Sequence, residues 1–240
     1  MTYELYPAFK HWMPENGNVW FYSDPHFGDK ENWLLRKQFV HDINNIEAFD
    51  SLQIATINKT CGKNDTLVIL GDVGDIEYVR KLKAKKKILI LGNHDQGATN
   101  YKRQIVTDQF HIFNTTREGA IKEMKERFPN WKITVESLEW GRFTKVTADN
   151  GLFDEVYEGA LMITPNIILS HEPIEFLYAV NIHGHDHSNR GFKDGLHINC
   201  CAEHINLTPI CLSRIVKSGL LKNTIDIHRE AIEKAKDRQK

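Results

Sequence analysis

The chain has 240 residues, 41% of them hydrophobic and 26% charged, which suffices for one sizeable core. With 31 Lys and Arg against 32 Asp and Glu the formal net charge is −1, which excludes a global electrostatic pull on nucleic acid or a membrane surface. No apolar run approaches the ~20 residues that span a bilayer, and Met1-Thr2-Tyr3-Glu4 lacks the basic and apolar regions of a signal peptide, so a cytoplasmic location is expected. Cys61, Cys200, Cys201 and Cys211 are too few and too irregularly spaced for a disulfide framework and are read as reduced, mostly buried thiols.

Residues 1–17, with Pro7, Pro14 and Gly17, suit an irregular lead-in. The apolar run Val19–Tyr22 then leads straight into Ser23-Asp24-Pro25-His26. Ile46, Phe49, Leu52 and Ile57 recur at helical spacing, with Asn44 or Asn45 as cap, and predict a crossover helix over 46–59. A second apolar run, 66–70, ends at Gly71-Asp72, and Asp75 can cap a short helix carrying Ile76, Val79 and Leu82. The lysine-rich stretch 83–87 is read as a solvated turn. A third run, 88–91, meets Gly92-Asn93-His94-Asp95. Between Asp95 and Pro165 the pattern loosens into a helix over 118–127, a stop at Phe128-Pro129, and strands at 131–135 and 143–146. The strand grammar resumes at 166–169, followed by Ser170-His171, and at 179–182, followed by His183-Gly184-His185-Asp186-His187. Segments 197–199 and 210–215 read as two closing strands interrupted near Pro209, and the charged tail 226–240 as a surface helix or disordered end. One domain over 1–225 is expected, elaborated at about 96–165.

Five apolar runs therefore each end in residues of the types that bind metals. Strands joined by crossover helices build a largely parallel sheet, whose ligands sit outside the carboxyl ends of the strands. Asp24, Asp72 and Asn93 with His26, His171, His185 and His187 suit Mn²⁺, Fe or Zn²⁺ better than Ca²⁺. Asp24-x-His26 and His185-x-His187 each place two side chains on one side of an extended segment. Seven ligands exceed one ion's need; two ions about 3.5–4 Å apart and sharing a carboxylate would use them all, a constellation suited to phosphate ester chemistry. Taken singly, a histidine at a strand end more often makes a hydrogen bond than a metal bond, and Gly-Asp is an ordinary turn. It is the coincidence of both pairs with three further strand-end ligands that favours a metal centre.

The order Asp-x-His, Gly-Asp-x-x-Asp, Gly-Asn-His-Asp, His, Gly-His-x-His resembles the calcineurin-like metallophosphoesterase superfamily, here as Asp24-Pro25-His26, residues 71–75, residues 92–95, His171 and residues 184–187. The resemblance implies an α/β fold, a four-layer αββα sandwich of two mixed sheets. It implies that Asp24, His26, Asp72 and His187 hold one metal and Asp72, Asn93, His171 and His185 the other, with Asp72 bridging. It further implies that His94, with Asn93, contacts the phosphate, that His94 protonates the leaving group, and that Asp95 orients its ring. Asp75 takes either a supporting carboxylate position or a helix cap. The Asp24-Pro25-His26-Phe27-Gly28 opening and the compact size also resemble small phage and bacterial members, placing the chain in a bacterial or phage-infected cell.

The resulting expectation is a phosphodiesterase using two divalent ions, Mn²⁺ first and Fe, Zn²⁺ or Ni²⁺ as alternatives, in which a metal-bridging water attacks a small, nucleotide-like substrate. Phosphomonoesterase, nuclease and non-catalytic scaffold are the competing readings. A nuclease on long chains needs a basic track, and residues 96–165 carry nine Lys or Arg against ten Asp or Glu. The aromatic residues of that segment, Trp131 and Trp140 among them, are candidates to stack on a base.

Overall fold

The computed structural model describes residues 4–36, 43, 45–95, 102–108, 117–129, 131–138, 143–149, 151–188, 194–225 and 227–237. They fall into two compact units, one formed by 1–96 with 157–240 and one by 97–156.

In the larger unit, β1 (Val19–Tyr22), β2 (Thr66–Ile69) and β3 (Lys86–Ile90) lie parallel and in register, Tyr22 opposite Ile69 and Ile69 opposite Leu89. Strand β7 (Glu155–Tyr157) flanks β3, with the Tyr157 carbonyl accepting from Leu91 N–H at 2.9 Å. On the other side β12 (Ile210–Cys211) runs antiparallel to β1. The second sheet sets β8 (Leu161–Thr164) antiparallel to β9 (Ile167–Leu169), then β10 (Val180–His183) and β11 (His197–Asn199) parallel to it. Both sheets are mixed, and the class is α/β, in line with the sequence. The two sheets are those the resemblance implied, and the strand ends that carry the candidate ligands are divided between them: β1, β2 and β3 end in one sheet, β9 and β10 in the other.

Period-two alternation sorts these strands. Val19, Phe21, Val68, Leu70, Ile88 and Ile90 pack in one core with Ile163, Ile167, Leu169 and Ile182 of the second sheet, so the two sheets face each other. The opposite face of the first sheet meets α2 (Ile46–Thr60), where the Tyr22 hydroxyl donates to Gln53 Oε1 at 2.8 Å. Because β1 and β2 are buried on both faces, they read as unbroken apolar runs. Asn45 caps α2 by accepting from Ala48 N–H, while Asn44 lies outside the described residues. Ahead of α2, the sequence reading missed α1 (Lys30–Arg36), which Asp29 caps by accepting from Glu31 and Asn32 N–H.

Three further expectations change. The lead-in is not marginal: Leu5 and Trp12 join the main core, and Pro7–Trp12 forms a 3₁₀ turn. Only Ile210–Cys211 of the second closing strand is extended; Leu212–Ser218 is a helix, α4, because Leu212 and Ile215, three apart, bury one face and Gly219 ends it at φ 86°. The lysine stretch does not stay a turn throughout, since Lys86 and Lys87 begin β3.

The smaller unit is an antiparallel sheet in the order β4 (Lys102–Asp108), β6 (Phe143–Asp149), β5 (Lys132–Leu138), with α3 (Arg117–Arg127). Strand β4 had no counterpart in the sequence reading. Ala120 and Met124 of α3 bury against Phe128, Trp131, Ile133 and Val135. In the tail, α5 covers Ile227–Asp237. No described helix is long and apolar enough to cross a membrane.

Candidate metal centre

All seven residues expected as metal ligands lie just beyond strand ends in the larger unit, at the edge where the sheets' loops interlock. Ser23 N–H donates to the Cys200 carbonyl, Asp24 N–H to Gly71, His26 N–H to Asp72 and Gly184 N–H to His171, at 2.9–3.1 Å. The crossing is close. A side chain at Gly92 would run into the Asp72 carboxylate and the His171 ring, and one at Gly184 into Ser23 and Asp24. This explains why the motifs read Gly-Asn and Gly-His. Four of the ligand positions are themselves non-glycine residues with positive φ: Asp24 at 53°, His26 at 43°, Asp72 at 53° and His185 at 65°. Each such conformation costs on the order of 1–3 kcal/mol, a load that concentrates where geometry serves a site.

Two sets of donor atoms converge here. In the first, Asp24 Oδ1 stands 3.8 Å from His26 Nε2 and 3.4 Å from His187 Nε2, and His26 Nε2 stands 3.6 Å from Asp72 Oδ2. In the second, His171 Nε2 stands 3.5 Å from Asp72 Oδ2 and 2.8 Å from Asn93 Oδ1, while His185 Nδ1 lies 3.0 Å from Asn93 Oδ1 and 3.2 Å from His171 Nε2. Asp72 Oδ2 is common to both.

The chemistry of these atoms fits a cation. Asp24 Oδ1 and His26 Nε2 are buried without a hydrogen-bond partner, a costly state unless something else binds them. The other oxygen of Asp24 is saturated, accepting from Ser23 Oγ at 2.5 Å, His185 N–H at 2.9 Å and Cys201 Sγ at 3.2 Å. His171 Nδ1 lies 2.8 Å from the Leu70 carbonyl, which fixes a proton on Nδ1 and leaves Nε2 its lone pair. Two ligand atoms at about 2.0–2.1 Å from a tetrahedral ion stand about 3.3–3.4 Å apart, close to the longer separations here. Groupings able to hold an ion include Asp24 with His26 and His187, and Asp24 with Asp72 and His171.

Charge follows the same pattern. Burial would raise the Asp24 pKa, but the neighbouring His187 and His26 rings, with His171, hold it well below the carboxylate range. Burial pushes Asp72 up, against the pull of His171 and His94 N–H. His187 loses by burial and gains more from Asp24 and Glu203, rising to about 9. In the metal-free protein His187 is thus protonated at neutral pH, and an ion must displace that proton. Apparent Mn²⁺ affinity should rise nearly tenfold per pH unit from 7 towards 9 and flatten above. Calorimetry in buffers of different ionisation enthalpy should find about one proton released at pH 7; a pH-independent affinity would contradict this.

His94 sits beside the first set without joining it. Its side chain is 62% exposed, Nε2 is 4.0 Å from Asp72 Oδ2, and its N–H donates to Asp72 Oδ1 at 2.9 Å. Asp95 holds backbone as well. Its buried carboxylate accepts from the N–H groups of Asp72, Val73 and Gly92, at 2.7, 3.0 and 2.9 Å, and so ties two ligand loops together. Asp75 is a cap, accepting from Glu77 N–H at 3.0 Å. His183 is buried at its strand end with Nδ1 2.8 Å from the Gly184 carbonyl, and Asp186 accepts from Ser188 N–H at 2.9 Å. Sequence reasoning missed Ser23, Cys201, Glu203 and Arg36, which surround the ligands and carry no motif signal.

A family profile described as calcineurin-like phosphoesterase matches residues 17–196. A crystal structure of a protein of unknown function from Aquifex aeolicus is similar over 84% of this chain and 99% of its own, with TM-score 0.51 and 23% identity, a likeness of fold alone. Comparison with curated proteins gives no match.

Proposed function

Since the chain belongs to the calcineurin-like phosphoesterase family, we propose that it hydrolyses a small phosphodiester, using two divalent ions of which Mn²⁺ is the first choice. The observation that supports this most is the pair of donor sets meeting at Asp72 Oδ2, 3.6 Å from His26 Nε2 and 3.5 Å from His171 Nε2. Two ions held there would lower the pKa of a water and polarise a phosphoryl oxygen.

The protein's own groups do the rest. Asp72 divides its carboxylate, Oδ2 to the donor sets and Oδ1 to His94 N–H, so the backbone carrying His94 is registered to the centre of the site. The exposed His94 ring would then hold a phosphoryl oxygen and give a proton to the leaving oxygen. Asn93 presents Oδ1 to His171 and His185 from the same corner, which leaves its neighbour's side chain for the substrate.

Purified protein with Mn²⁺ should cleave bis-p-nitrophenyl phosphate faster than p-nitrophenyl phosphate, and cyclic or dinucleotide diesters faster than single-stranded DNA. A strong preference for the monoester, or for long DNA, would overturn the substrate class while leaving the metal chemistry standing.

Stacking of a base on Trp131 loses its support, because that ring stacks on Phe128 at 4.5 Å within the small core of its own unit; Trp140 lies outside the described residues. Trp131→Ala should destabilise the smaller unit by roughly 0.5–3 kcal/mol and leave unchanged the kcat/KM ratio between a dinucleotide diester and bis-p-nitrophenyl phosphate. A selective loss on the nucleotide would restore the stacking role.

A further inference from the structure

We propose that Glu203, locked by Arg36, is a positioning residue for His187, fixing its ring so that Nε2 faces the first donor set. The inference rests on the two-ion reading above and deepens it. His187 is the most exposed ligand of its set, with 36% of its side chain accessible, and it follows the turn at Gly184 in a short loop. Left to itself such a ring would sample both tautomers and several rotamers, at a cost to any ion it binds.

Glu203 removes that freedom. Its side chain is only 2% exposed, and Oε1 bonds to His187 Nδ1, the nitrogen remote from Asp24. A carboxylate at Nδ1 keeps the proton there and leaves the Nε2 lone pair for an ion, the arrangement in which an outer carboxylate orients a metal-bound imidazole. A buried carboxylate needs a counter-charge, and Arg36 supplies it with NH2 at 3.3 Å from Glu203 Oε2, itself only 4% exposed. The same guanidinium donates from NH1 to the Pro25 carbonyl at 3.1 Å and from NH2 to the Asp24 carbonyl. One cation therefore links the backbone of the Asp24–His26 corner to the carboxylate that holds His187. Two ligand loops remote in sequence are thereby held in one geometry, and α1, which ends at Arg36, gains a purpose that its sequence does not announce. The second donor set, with Asn93, His171 and His185, has no bond to this pair among the described residues.

The test separates the two ions. Mn²⁺ binding to the parent chain should resolve two equivalents. In Glu203→Ala one should weaken about 10–100-fold, the usual effect of losing such an outer partner, while the other changes less than about threefold; Glu203→Gln, which keeps an acceptor oxygen, should recover most of the loss. NMR of the Zn²⁺-loaded parent should show a slowly exchanging proton on His187 Nδ1. Equal constants in parent and Glu203→Ala, or equal weakening of both equivalents, overturns the proposal. Fewer than two equivalents in the parent overturns the two-ion reading and this proposal with it. Should Glu203→Ala fail to fold, the NMR result decides: a His187 ring protonated on Nε2 or ligated through Nδ1 overturns the assignment.

Discussion

Asp72→Ala should release both metal equivalents and reduce hydrolysis by more than the roughly 10²–10⁴-fold expected from loss of a general acid. The expectation follows from position. Asp72 Oδ2 is the atom shared by the two donor sets, 3.6 Å from His26 Nε2 and 3.5 Å from His171 Nε2, and the residue is 2% exposed. Its removal leaves buried imidazoles facing one another without an anion between them, and also takes away the acceptor of His94 N–H. Asp72→Asn separates these losses, since the amide oxygen can still accept from His94 while the charge is gone. Elemental analysis after gel filtration gives the reading. If Asp72→Ala retains two equivalents per chain, the carboxylate is not the bridge.

His94→Asn should do the opposite: keep both equivalents and slow turnover by about 10²–10⁴-fold. Its ring is mostly exposed, and its neighbour Asn93 supplies the donor atom of that corner to His171 and His185. If the ring protonates the leaving oxygen, the loss should shrink for p-nitrophenolate, which leaves without help, and grow for an alkoxide. Comparing kcat for aryl and alkyl diesters checks this. An equal loss on both would argue that His94 binds the phosphate without donating a proton.

The residues that converge at the candidate site were legible in the sequence, whereas their scaffolding was less so. Strands β1 and β2 are sealed on both faces, so the chain must write them as unbroken apolar runs, and the first polar residues afterwards necessarily emerge at the carboxyl edge. That is why Asp24, His26, Asp72, Asn93, His171, His185 and His187 could be named from order alone. The glycines before ligands read only as turn residues, whereas Gly92 and Gly184 stand where loops cross too closely for a side chain. Division of those strand ends between two sheets was not readable from local pattern; both sheets use the same apolar alphabet. Residues 210–215 misled because a two-residue strand and a helix of one buried face leave similar traces. Arg36 and Glu203 were invisible for another reason. Each acts through a partner remote in sequence, Arg36 on Pro25 and Glu203, Glu203 on His187, and a lone buried ion pair leaves no spacing to detect. Asp95 is a related case: the motif named the residue, while the three backbone N–H groups that its carboxylate holds leave no trace in the sequence.

Titration of metal-free protein with Mn²⁺, following bound metal and hydrolysis of bis-p-nitrophenyl phosphate in the same samples, tests the shared-carboxylate centre most directly. Two equivalents per chain, with hydrolysis appearing as the second is taken up and vanishing on chelation, is the predicted result. Full hydrolysis at one equivalent, or hydrolysis that persists after chelation, would contradict it.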